Sequence, residues 1–276
     1  MATKMHVDLS GPPQTMLDMV YAKALDADSA RPVLGDRFAK QLMTQLDYDW
    51  TKSPVPRQRR RQVTSIAVRA AQFDIWVKQF LAVTEQPVVL HVGCGLDSRA
   101  FRVDPGPGVE WYDIDFPDVI ALRERLYPAR QNYHLVSSSA TDPSWLNNIP
   151  NDRPALLIAE GVSMYLTEHD GIDLLRRVVS RFPSGELQLD FWSRFGRRAQ
   201  AKNNKVVRWS GSDLGWAVNA PDEIIGQIPR ARSLCAISVF EASTVQLLPK
   251  GYRRFAAAAA RTPGLRDIVQ FHRYAF

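Results

Sequence analysis

Two glycines followed, about 20 residues on, by a pair of acids are the residues in this chain whose types and spacing first suggest chemistry. Gly93 and Gly95 end the apolar run 88–92 within PVVLHVGCGLDSRAFR (87–102). A residue without a Cβ lets the backbone turn tightly and approach a ligand closely. Asp113 and Asp115 close the next strand-like run, 109–115, and their spacing of two puts both on one face of that strand. Strand, glycine turn, helix, strand and acid together hold a nucleoside, with backbone against the ligand and a carboxylate on the ribose. Glu160 follows the apolar run 156–159. Acids are seldom buried without a reason, so it reads either as a residue of the ligand crevice or as half of a structural salt bridge. Asp97 and Arg99, just after the turn, suit either ligand contact or the start of a helix.

These residues need a scaffold, and its outline is an alternation. Strand-like runs at 88–92, 109–114, 133–137, 154–159 and 186–191 are separated by stretches with helical spacing, such as 116–126 and 170–182. That order implies parallel βαβ units in an α/β fold. Ahead of it, apolar periodicity predicts helices at 15–25 and 36–42 and a long helix over 66–81, with residues 1–15 as a polar arm. After Phe191 the rhythm stops. A polar interval with Trp209 and Trp216 reads as an insertion or lid, and 236–240 and 272–276 read as two last strands around a helix at 252–261. The expected organisation is one domain: a helical cap (1–85), a cofactor core (86–192), a lid (193–230) and a C-terminal unit (231–276).

Bulk properties narrow the function classes. With 276 residues, 45% hydrophobic content and seven tryptophans, the chain can bury a large core. A net charge of +6 and a pI near 9.4 raise the question of nucleic acid. The densest basic run, Arg57 to Arg61, has no interleaved aromatics and reads as a solvated helix start, which argues against that partner. Cys94 and Cys235 read as free thiols of a reducing compartment. No signal peptide and no membrane-length apolar run is present, so a soluble, cytoplasmic protein is expected. The five histidines and two cysteines have no metal-ligand spacing, and no metal is expected. His91, inside the first strand, reads as a packing residue; His134 and His169 read as surface positions.

Four blocks carry a family likeness: Val68-Arg69, HVGCGLDSRAFR (91–102), WYDIDFPDVIALRERL (111–126) and LLIAEGVSMYLTE (156–168). On these the chain resembles the leucine carboxyl methyltransferase family of class I S-adenosylmethionine (SAM)-dependent methyltransferases, in particular its microbial branch of tetracenomycin-type polyketide O-methyltransferases. The resemblance implies a Rossmann-like class I fold, a seven-stranded mostly parallel sheet with helices on both faces, N-terminal helices and a lid insertion. It implies SAM as cofactor, with Gly93 and Gly95 along its methionine and ribose portions and Asp115 on the ribose hydroxyls. Arg69 would reach the methionine carboxylate, where a guanidinium suits the planar anion bidentately. Lys23 would cover that carboxylate from the N-terminal helices, and Glu160 would stand at the crevice edge. One position departs from the pattern: the acid that contacts adenine after the third strand is here Ser139, with Asp142 three residues along as a substitute.

Methyl transfer from a sulfonium needs alignment, a dry site and an ionised acceptor. A carboxylate acceptor is already ionised; a phenol or alcohol calls for a nearby base. No catalytic base stands out, although a lid could bring in His169. The resulting expectation is an O-methyltransferase acting on a carboxyl or hydroxyl of a small, polyketide-like acceptor, with Tyr165, Trp209 and Trp216 as walls of its site. A protein C-terminal carboxyl methyltransferase and a non-catalytic SAM- or nucleic-acid-binding protein are the alternatives. A homo-oligomer stays open.

Overall fold

A computed structural model describes residues 4–7, 15–53, 61–203 and 214–276. The basic run at 57–60, Trp209 and most of the N-terminal arm lie outside them. Five strands form the parallel core: β3 (Val88–Val92), β4 (Glu110–Asp115), β5 (Tyr133–Ser137), β6 (Ala155–Ala159) and β7 (Gly185–Trp192). β3 and β6 are buried along their whole length and have nearly unbroken apolar sequences, as central parallel strands require. β8 (Arg232–Ser238) and β9 (Val269–Ala275) complete a seven-stranded sheet in the order β5-β4-β3-β6-β7-β9-β8, with β9 antiparallel to both neighbours. The seven-stranded, mostly parallel sheet is the architecture expected from the sequence.

Side-chain alternation along the strands feeds two apolar layers. Leu90, Leu157, Leu189 and Phe191 pack on one face with α6 (Glu168–Arg181). Val89, Leu156, Ile158 and Phe271 pack on the other with α3 (Arg61–Val83) and α9 (Lys250–Ala259). The remaining elements of the core are α4 (Arg99–Val103), α5 (Pro117–Leu126), α7 (Arg194–Asn203) and α8 (Asp222–Ile225). N-terminal helices α1 (Thr15–Ala27) and α2 (Arg37–Gln45) sit with the short parallel pair β1 (Met5–His6) and β2 (Leu46–Asp47) in a third apolar cluster, which includes Leu96 and Val119. Asp36 ties this cap to the sheet. Its carboxylate caps α2 and also accepts from Ser98 Oγ (2.7 Å) and Arg102 (2.9 Å).

The interval expected as a lid divides. Residues 214–231 pack into the core, led by Trp216, which is 3% exposed and meets Phe191 edge-on at 4.9 Å. Its ring lies where a Cβ on Gly171 would be, 2.2 Å from that point. Trp216 is therefore a core residue and not a wall of the acceptor site: the missing side chain in α6 leaves a gap that an apolar indole fills. Among the described residues no helix is long and apolar enough to cross a membrane.

Strand order reverses at β3, whose neighbours are β4 on one side and β6 on the other. A crevice opens beyond the carboxyl ends of strands at such a switch point.

Candidate active site

A cavity of about 660 Å³ occupies this crevice, and Lys23, Arg69, Gly93, Gly95, Asp115, Ser139 and Glu160 all line it. Residues separated by up to 137 positions are thus brought to one cavity. Gly93 (φ +62°) and Gly161 (φ +75°) make the close turns after β3 and β6. A Cβ on Gly93 would sit 2.4 Å from Val162, and one on Gly161 would come within 3.1 Å of Arg69 Nη2. The positive φ favours glycine at both, and at Gly93 the lack of space requires it as well.

Asp115 and Asp113 separate cleanly. Asp115, at the end of β4, faces the cavity; its carboxylate accepts from the Gly95 N–H (2.7 Å) and the Phe116 N–H (2.8 Å). Burial raises its pKa, and those two N–H groups oppose the rise only in part. Asp113 is fully buried one step below. It accepts from Trp111 Nε1 (2.9 Å), Tyr133 OH (2.7 Å) and Arg123, and meets His91 Nδ1 at 2.8 Å. Burial alone would raise its pKa, but Arg123 and then His91 outweigh that and hold it at about 2. Arg123 in turn donates to the carbonyls of Gly95 (2.7 Å) and Asp97 (2.9 Å). Asp113 and Arg123 thus form a buried brace under the glycine turn, and His91 is the packing residue the sequence suggested.

On the opposite wall a chain of ion pairs joins the N-terminal helices to the strand ends. Lys23 Nζ meets Asp97 at 3.1 Å, and Asp97 also pairs with Arg99 (3.4 Å) and Arg102 (3.0 Å). Fully buried Arg99 continues to Asp74 (2.8 Å) and to Glu160. Arg69 Nε donates to Glu160 (2.9 Å) and its Nη1 to Asp190 (2.9 Å). Desolvation would raise the pKa of Glu160, yet Arg99 and Arg69 together lower it to about 2. Glu160 is therefore both a cavity-wall residue and a salt-bridge partner. Two of the three nitrogens of Arg69 are thus already engaged by carboxylates. With Nε and Nη1 engaged, Nη2 remains, 4.0 Å from the Sδ of Met19, itself a residue of the cavity wall.

The far end of this lobe is mild in character. Ser138, Ser139 and Ala140 line it, and Ser139 Oγ sits 2.9 Å from Thr141 Oγ1. Asp142, the expected substitute for an adenine-contacting acid, instead accepts from the Ser144 N–H and caps the 3-10 turn at Pro143–Leu146. Cys94 lines the turn, but burial pushes its thiol well above the ordinary range, which removes it as a nucleophile.

Beyond Arg69 the cavity changes. Tyr165, Trp192, Phe240, Tyr252, Phe255 and Phe271 give its second lobe an aromatic wall, with Ile66, Val239 and Val269 between them. Tyr165 was expected here. The others come from β7, from the segments around β8 and β9, and from α9, and the sequence reading passed over them. His169 stands on the outer face of α6, 81% exposed by side chain. Asp190 was also missed, although an acid within LQLDFW carries the same signal that singled out Glu160. Among the described residues, every carboxylate and imidazole on the cavity wall has a partner.

Several known proteins are similar to this chain in sequence or in fold. The profile of a family described as leucine carboxyl methyltransferase matches residues 16–179. A tetracenomycin polyketide synthesis O-methyltransferase from Streptomyces glaucescens is 38% identical over 270 residues, covering 98% of each chain. An S-adenosyl-L-methionine-dependent methyltransferase from Gibberella zeae is 33% identical over 240 residues, 81% of this chain and 80% of its own. For the fold alone, a Thermobifida fusca protein provisionally described as a methyltransferase superposes with a TM-score of 0.61 at 16% identity, over 96% of this chain and 97% of that one.

Proposed function

The chain belongs to the leucine carboxyl methyltransferase family of SAM-dependent methyltransferases, and from that premise we propose that it methylates an oxygen of a small, largely apolar acceptor of polyketide type. The observation that carries this reading is the two-part cavity, with an ion-paired polar lobe continuous with an aromatic one.

The polar lobe fits SAM on chemical grounds. Asp115 supplies acceptors for a ribose diol, the glycine turns leave backbone exposed beside it, and Arg69 Nη2 supplies a donor for a carboxylate. Lys23, already paired with Asp97, adds positive potential near the same end. Ser138 and Ser139 border the space left for the base. When bound, SAM supplies a methyl group on an electron-poor sulfonium. The chain's own residues then bind, orient and exclude water. The aromatic lobe desolvates the acceptor and holds its oxygen toward the first lobe. Because the carboxylates and the imidazole on the described wall are all engaged, an acceptor oxygen that arrives ionised, a carboxylate or an acidic phenol, suits this site best.

Calorimetric titration with S-adenosylhomocysteine (SAH), followed by transfer of labelled methyl from SAM to a panel of aromatic carboxylates, phenols and simple alcohols, tests the proposal. Saturable binding with label in ester or aryl ether products is expected. No heat at millimolar SAH, or label in alcohols alone, would overturn it.

A further inference from the structure

Asp190 is fully buried near the end of β7 and does not line the cavity, yet both of its oxygens are committed to groups that do. Oδ2 accepts from Arg69 Nη1 at 2.9 Å, and Oδ1 accepts from the Gly161 N–H at 2.6 Å. These two partners touch each other's space, since a Cβ on Gly161 would meet Nη2 at 3.1 Å. The main-chain oxygen of Asp190 also accepts from Ser163 Oγ, at the start of the 3-10 turn that carries Tyr165 into the second lobe. One residue therefore fixes the guanidinium, the left-handed turn beneath it and the segment beyond.

We propose that Asp190 is a positioning residue for the amino-acid end of SAM, acting through Arg69. Glu160 holds Nε and Asp190 holds Nη1, so the guanidinium plane is fixed along two of its edges and Nη2 is presented to the cavity. Glu160 alone would leave the plane free to turn about its Nε contact. The second carboxylate removes that freedom before ligand arrives, which lowers the ordering cost of binding. Burial raises the pKa of Asp190, and Arg69 and the Gly161 N–H oppose the rise. The inference rests on the reading that Arg69 meets the methionine carboxylate, and adds to it a residue that touches no ligand.

An isosteric change isolates the effect. A carboxylate offers two acceptor ends and both face donors here, whereas an amide offers one acceptor and one donor end. Asp190→Asn therefore sets N–H against N–H on either Arg69 or Gly161. The probes are SAH, which has the amino-acid moiety, and 5′-methylthioadenosine, which lacks it. Asp190→Asn is expected to weaken SAH by about tenfold to a hundredfold, the scale of one charge-assisted hydrogen bond, and to leave 5′-methylthioadenosine within about twofold. Arg69→Lys should show the same selectivity, and the double variant should lose little more than either single one. Should Asp190→Asn fail to fold, Asp190→Glu, which keeps the charge but displaces it from Arg69 Nη1 and the Gly161 N–H, is read with the same two probes and the same outcomes. Equal weakening of both probes would assign Asp190 a general structural role and overturn the proposal, as would unchanged SAH affinity. Failure of the wild-type protein to bind either probe would instead count against the SAM site itself.

Discussion

The two lobes of the cavity are built on opposite principles. The cofactor lobe is polar and over-determined: Asp97 has three cationic partners, Glu160 two, and Arg123 ties a buried aspartate to two carbonyls of the glycine turn. The acceptor lobe is held by shape. Phe255 meets Phe240 and Tyr252 edge-on and is 40% exposed, while Phe271 and Trp192 are buried. The first lobe lies almost entirely within the span that matches the family profile, 16–179. Trp192, Phe240, Tyr252, Phe255 and Phe271 lie beyond it. A cofactor of fixed shape and charge rewards groups locked before binding, whereas an apolar wall can change its acceptor by exchanging one side chain for another. Substitutions in the two lobes should therefore have different consequences, large and coupled to folding in the first, modest and confined to acceptor binding in the second.

The sharpest test of the first half of that contrast is Arg123→Met. Its removal leaves Asp113 buried and without its cation, a change of the kind that costs roughly 3–5 kcal/mol. Urea denaturation should show a loss of that size, together with weaker SAH binding as the Gly95 and Asp97 carbonyls are released. A loss below about 1 kcal/mol would mean that the brace is dispensable and that the turn holds itself.

Asp115→Ala comes next. It removes the proposed ribose contact and the acceptor of the Gly95 N–H, and should weaken SAH by about 1–3 kcal/mol while folding stability changes less. 5′-Methylthioadenosine should weaken equally, because it keeps the ribose. That shared loss separates Asp115 from Asp190, whose effect should follow the amino-acid end alone.

The legibility of the two lobes from sequence differs for the same reason. Glycines that must turn and acids that must stay ionised in a buried place leave few residue types to choose from, so Gly93, Gly95, Asp115 and Glu160 stand out against apolar strands. The strand–helix alternation of 88–192 is equally plain, since buried parallel strands need unbroken apolar runs. Phe240, Tyr252 and Phe255 carry no such mark. An aromatic residue near a strand end or on a helix reads as core, and only the antiparallel return of β9 between β7 and β8 turns these toward the crevice. Trp216 failed in the other direction: its polar neighbourhood suggests exposure, while Gly171 on a distant helix makes the room that buries it. Arg69 was found and its geometry was not, because the second carboxylate on it comes from 121 residues away.

pH should separate the groups again. Glu160, depressed to about 2, contributes stability that is present above its unfolded value of 4.5 and is lost as pH falls through 2. Asp18, on the α1 helix that also carries Lys23, behaves oppositely. Its Oδ1 accepts from Ser53, its Oδ2 has no hydrogen-bond partner, and burial raises its pKa to about 6. A raised value means the folded state favours the neutral form, so this contribution is full below the unfolded value of 3.8 and is lost as pH rises through about 6. Asp18→Asn should therefore stabilise the protein by roughly 1–2 kcal/mol at pH 8 and by nothing near pH 3.5. Thermal unfolding at the two pH values checks it; a gain at both would remove ionisation as the cause.

Phe255→Ala is the smallest expected effect and bears most directly on the second half of the comparison. The side chain lines the acceptor lobe while remaining partly exposed, so its truncation removes only part of the burial that a core phenylalanine supplies. A stability change near zero and a loss of about 1 kcal/mol in the binding of a planar aromatic carboxylate, such as a naphthoate titrated in the presence of SAH, are expected. SAH affinity should not move, because no ion pair of the cofactor lobe reaches α9. A variant that lost SAH binding along with the naphthoate would tie the two lobes into one cooperative unit. Acceptor choice could then no longer change independently of the cofactor site.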